Sequence, residues 1–172
     1  MNQEISPIIF IIIGITCVVS ISAFSNRNLM VQLMHTPYDV KRHKQWYRLL
    51  TSGFLHADWM HLFFNMFVFY NFAPLVFDRY HLLFDEKGMF YFLILYLGAI
   101  IISNLPSFVK HQNNPSYSSL GASGGVSAVL FAFIFLYPDA KLQMVFIPVP
   151  LPGIIWGIGY LMYSYYMGKR GG

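Results

Sequence analysis

Three side chains in this sequence could share an acyl-transfer reaction. Ser123 stands in Gly121-Ala122-Ser123-Gly124-Gly125, a hydroxyl flanked by glycines at the head of an uncharged run that ends near Pro138. His61 and Asn65 are four residues apart, so on a helix they share one face. A serine hydroxyl can attack a carbonyl carbon. Donors from an imidazole, a carboxamide and the backbone N–H at a helix N-terminus can then hold the oxygen that becomes negative. Each group also has a structural reading. Glycines beside a serine let two helices approach closely, and a His-Asn pair is interhelical glue worth about 0.6 to 2 kcal/mol.

Composition says what must position these groups. The 172 residues are 56% hydrophobic and 10% charged, with a mean hydropathy of +0.53, whereas about a quarter of the residues in a soluble domain are charged. The chain is therefore a membrane protein. No charge falls between Glu4 and Arg27, Lys87 and Lys110, Lys110 and Asp139, or Lys141 and Lys169, and Asp58 to Asp78 nearly matches them. Each of the four gaps exceeds the roughly 20 residues that cross about 30 Å of hydrocarbon. Five spans follow, at about 6–25, 59–77, 88–108, 120–137 and 150–167. Unpaired backbone is intolerable in lipid, so the expected fold is an all-α polytopic bundle forming one domain over residues 1–172. The first span could instead be a secretory signal with Ser20 and Ser22 at a cleavage site, but its start lacks basic residues and its apolar run is too long.

The remaining features narrow the chemistry. Cys17 is the only cysteine, so no disulfide can form within the chain. His56 and His61 are five apart, off one helix face and joined by no carboxylate or second cysteine, so we expect no metal. No organic cofactor or nucleic-acid partner is expected either. Residues 26–58 form a long first loop with Leu29, Met30, Leu33 and Met34 in helical spacing. Lys41, Arg42, Lys44 and Arg48 follow, mixed with Trp46, Tyr47, Leu49 and Leu50, a composition that settles in a membrane interface.

Span counting brings the three groups together. The second and fourth spans enter the membrane from the same side, and His61, Asn65 and Ser123 all lie in their first turns. They should therefore sit at one depth, with a site for an oxyanion beside a hydroxyl.

Arg48, His56, His61 and Asn65, followed by Gly121-Ala122-Ser123-Gly124, resemble the rhomboid family of intramembrane serine proteases over nearly the whole chain. The resemblance implies that Ser123 is the nucleophile and that His61, Asn65 and the Ser123 amide stabilise the oxyanion. It implies structural roles for Arg48 of a Trp-Arg motif, here preceded by Tyr47, and for His56, Gly121 and Gly124. The partners implied are membrane lipid and the transmembrane segments of substrate proteins. Pro148-Val149-Pro150-Leu151-Pro152 also looks like the family and physically gives a rigid extended entry to a helix.

The sequence departs from the family at two further points. Ser127 stands where some relatives carry an aromatic ring. The family's general-base histidine lies on a sixth helix, and no histidine follows Ser123 here. We therefore expect a chain incomplete at its C-terminus. The alternative is a non-catalytic rhomboid-like protein that binds membrane segments. A small transporter would need inverted internal symmetry and broken helices, which the sequence lacks. Eight of the 11 Lys and Arg lie on the side expected to carry the site, which by the positive-inside rule favours a cytoplasmic site. The family implies the reverse, so the expectation is a bacterial inner membrane with a cytoplasmic N-terminus.

Overall fold

The computed structural model describes residues 5–144 and 147–170, and these are mostly helical. Helix α1 (Pro7–Ser25) opens with proline at its first turn, where the missing N–H costs nothing. The Asn26 side chain then accepts from the Leu29 N–H and starts α2 (Arg27–Leu33). Short helices α3 (Pro37–His43) and α4 (Arg48–Thr51) follow, the last running into a 3₁₀ turn at Ser52–Phe54. The first loop is thus a folded helical segment, and its predicted helical spacing at Leu29 to Met34 corresponds to α2.

Helix α5 (Trp59–Phe84) is capped by Asp58, whose carboxylate accepts from the His61 N–H at 2.8 Å. It passes Pro74 and runs beyond the expected end at residue 77 through Asp78 and Arg79, because a charged residue ends an apolar span without ending a helix. The chain reverses at Asp85 (φ 49°) and returns as α6 (Gly88–His111). Helix α7 (Ser123–Leu136) starts three residues later than expected and is only 14 residues long. Residues before it are held extended by an antiparallel bridge between His35 and Ser119, and Gly121 at φ +130° cannot join a helix. The proline-rich run is extended, as expected. It forms β2 (Ile147–Pro152), paired antiparallel with β1 (Lys141–Met144), and α8 (Gly153–Arg170) follows directly.

Helices therefore stand at all five expected spans, with altered bounds. Among the described residues, length and apolarity sufficient to cross a membrane belong to two stretches, Pro7–Ser25 and Trp59–His111, while Ser123–Leu136 and Gly153–Met162 are shorter apolar helices. The second stretch contains the reversal between α5 and α6.

The core lies among α5, α6 and α7. Phe69, Phe92, Tyr96, Val126 and Val129 are fully buried there, and the Phe69 and Tyr96 rings stand 4.8 Å apart. Gly124 meets the Ser103 side chain and the Ala99 carbonyl of α6, so a methyl group would not fit. The start of α7 thus lies beside the end of α6, and α5 and α7 run parallel. The outward faces are apolar as well, with Val18, Ile102 and Phe135 at 65%, 66% and 83% exposure. Such a surface suits hydrocarbon.

Candidate active site

His61 is fixed from both sides. The backbone N–H of Ala57 points at its Nδ1 across a long 3.4 Å, which makes Nδ1 the acceptor and leaves the proton of the neutral ring on Nε2. The other edge of the ring faces Gly121, where a Cβ would stand 2.9 Å from Cε1 and 3.2 Å from Nε2. Two independent requirements, the positive φ and this contact, keep position 121 a glycine. Its N–H donates to the Ser52 carbonyl at 3.0 Å, tying the approach to α7 to the first loop.

Ser123 is the first residue of α7 and is half-buried. Among the described residues no side chain caps this helix, and its first backbone bond runs from the Val126 N–H to the Ala122 carbonyl. The N–H groups of Ser123, Gly124 and Gly125 therefore lack intrahelical partners. They carry the positive end of the helix dipole. Ser127 turns back on the helix, donating to the Ser123 carbonyl at 2.6 Å.

Asn65 is 4% exposed, one turn beyond His61. Its amide donates one proton to the His61 carbonyl at 2.9 Å and keeps a second, while its oxygen meets the Tyr160 hydroxyl of α8 at 3.5 Å. The structure thus brings His61 onto the segment leading into Ser123 and sets Asn65 on the same helix. Among the described residues, no hydrogen bond joins the Ser123 hydroxyl to either.

The structural group lies around this centre. His56 is fully buried, with its Nδ1 2.9 Å from the Ser20 hydroxyl and its ring edge-on to His61 at 4.9 Å. The single Ser20 proton goes to the Phe54 carbonyl, so His56 donates from Nδ1. Burial, and then the neighbouring His61, push the His56 pKa down to about 3, against a smaller opposing pull from Asp58. Arg48 donates to the Val31 and Met34 carbonyls at 2.7 and 2.8 Å and to Gln45, closing the end of α2 onto α4. Tyr47 is half-exposed, with its ring 5.6 Å from that guanidinium.

Sequence reasoning missed five residues around the site: Ser20, His35, Ser52, Asn104 and Tyr160. Asn104 donates to the Leu49 carbonyl and the Ser52 hydroxyl, and its oxygen meets His35 Nδ1 at 3.1 Å. This links α6 to the loop that holds Gly121. An amide alone in the apolar run 88–109 is costly in a membrane, and that was the available signal.

Residues 43–169 match the family model described as the Rhomboid domain. Human "Presenilin-associated rhomboid-like protein, mitochondrial" is 33% identical over 102 residues, 59% of this chain and 25% of that protein. "RHOMBOID-like protein 12, mitochondrial" of Arabidopsis thaliana is 32% identical over 145 residues, 78% of this chain and 41% of that protein. YdcA, a rhomboid-named protein of Bacillus subtilis, is 33% identical over 92 residues, 54% of this chain and 42% of that protein. The chain spans a quarter to two fifths of the length of these relatives. The predominance of mitochondrial names among the similar proteins overturns the expected bacterial inner membrane with a cytoplasmic N-terminus.

Proposed function

The chain belongs to the rhomboid family, and from that premise we propose that it forms the nucleophile-bearing part of an intramembrane serine endopeptidase. The observation that carries this reading is the contact of the His61 ring with Gly121, two residues before an uncapped helix that begins at Ser123. Substrates would be membrane proteins, cleaved in or near their transmembrane segments. The mitochondrial names of the relatives support a mitochondrial membrane as the location.

In this reading α1, α5, α6, α7 and α8 each cross the membrane. A 14-residue helix is about 21 Å long, shorter than the roughly 30 Å hydrocarbon layer, so α7 begins below the surface. Ser123 then works in a polar recess, and the extended backbone before it is tolerated because it lines that recess. Attack by Oγ forms the C–O bond as the carbonyl π pair moves to oxygen and the hydroxyl proton passes to a base. The Ser123 amide, the His61 Nε2–H and the second Asn65 proton hold the oxyanion. Cleavage of the C–N bond releases the amine with that proton, and water hydrolyses the acyl ester by the same route.

The family resemblance assigns the base to a histidine on a sixth helix. The last histidine of this sequence is His111, on α6. A second reading is a rhomboid-like protein that binds membrane segments without cutting them. Reconstitution of the full-length gene product in liposomes with a transmembrane reporter separates the two. Cleavage that disappears in Ser123→Ala supports the protease, and cleavage that persists at the wild-type rate in that variant contradicts it.

A further inference from the structure

A cavity of about 540 Å³ opens between the end of α1, the start of α2 and the cap of α5. Its wall carries Arg27 and Asp58, opposite charges that form no ion pair with each other or with any described residue. One Asp58 oxygen caps α5 through the His61 N–H, and among the described residues the other has no hydrogen-bond partner. Apart from Ser25 the rest of the wall is apolar, with Phe24, Trp59 and Met30 prominent, and the Phe24 and Trp59 rings stand 4.9 Å apart. The cavity sits where the uncharged run of α1 gives way to Ser25-Asn26-Arg27-Asn28, and Trp59 beside it is 62% exposed. Aromatic rings and arginine at such a boundary lie at headgroup depth.

A cation, a carboxylate left unpaired and two aromatic faces above an apolar wall define a ligand that carries both charges and a hydrocarbon tail. We propose that this cavity is a binding site for one zwitterionic glycerophospholipid of the ethanolamine type. The Arg27 guanidinium takes the phosphate, and the free Asp58 oxygen accepts from the ammonium, which lies over the Trp59 ring. The glycerol and the first acyl carbons rest on Phe24 and Met30. The same wall includes Ala57 and Asp58, the two residues that hold His61, so an occupied cavity stiffens the loop that sets the imidazole. The site stands whether or not the protein cleaves peptides, and its test needs no proteolysis.

Native mass spectrometry of the chain in non-ionic detergent, titrated with phosphatidylethanolamine, reads the lipid bound per chain. One molecule should bind, and Arg27→Gln should weaken it about tenfold while Arg27→Lys retains most of the affinity. Asp58→Asn keeps a capping oxygen and should remove the preference for phosphatidylethanolamine over phosphatidylglycerol. Arg79→Gln, at the far end of α5, should change nothing. Equal binding by wild type, Arg27→Gln and Asp58→Asn, each checked by circular dichroism, would overturn the site. So would equally tight binding of a diacylglycerol, which lacks the phosphate. Soluble glycerophosphoethanolamine binding as tightly as the lipid would show a free-phosphoester site and overturn the lipid assignment.

Discussion

At the scale of single residues, His61 is placed to donate from Nε2 and His56 is a neutral buried support. If the proposed proteolysis holds, His61→Ala and Asn65→Ala should each lower the cleavage rate of the reconstituted protein about 10²- to 10³-fold, the cost of one oxyanion donor, with little change in KM. His35, pushed down to about 4 by burial and the Arg48 charge, and His56, at about 3, are both neutral when folded. Unfolded, each titrates near 6.5, so acid favours the unfolded chain. Their contribution is complete above about pH 6.5 and is lost as pH falls, by up to about 1.4 kcal/mol per pH unit for each. Thermal melts in detergent should show a lower Tm at pH 5 than at pH 7.5, and His56→Gln, though less stable at pH 7.5, should lose less on acidification. A Tm equal at the two pH values would contradict neutral burial of these rings. That His61 and Asn65 share one helix and that Ser123 stands at the head of another was legible in the sequence, because spacing and apolar runs speak for helices. Ser20, His35 and Ser52 were not, since nothing in the spacing of lone polar residues on separate elements shows that they meet.

At the scale of elements, the junction before α7 decides the geometry. Gly121→Ala meets both a positive φ and the His61 ring, so it should cost about 1 to 3 kcal/mol and displace the imidazole. A chemical denaturation series should show that loss, and a variant as stable as wild type would contradict the contact. Gly124→Ala pushes α7 from α6 and should cost a similar amount. Charge-free runs located the long helices because hydropathy reads lipid contact. They misjudged helix ends, since α5 continues past Asp78 and α7 waits until Ser123. The β1–β2 hairpin was invisible, because Pro148, Pro150 and Pro152 announce extended chain without naming a partner strand.

At the scale of the whole molecule, apolar side chains cover the outside as well as the core, so the chain should fractionate with membranes and resist extraction by alkaline carbonate. Recovery in the soluble fraction would contradict the bundle. Family, helical class and membrane setting were legible from composition and a handful of spaced residues; the membrane itself was misassigned, because charge counting and family topology carry no address. The central claim is that Ser123 is a nucleophile served by an oxyanion site at the head of α7. A fluorophosphonate, with the adduct mapped by mass spectrometry on the full-length protein, tests it most directly. One adduct is expected on Ser123, abolished in Ser123→Ala and slowed in His61→Ala. Full-length protein that stays unlabelled, or an adduct that persists in Ser123→Ala, would contradict it.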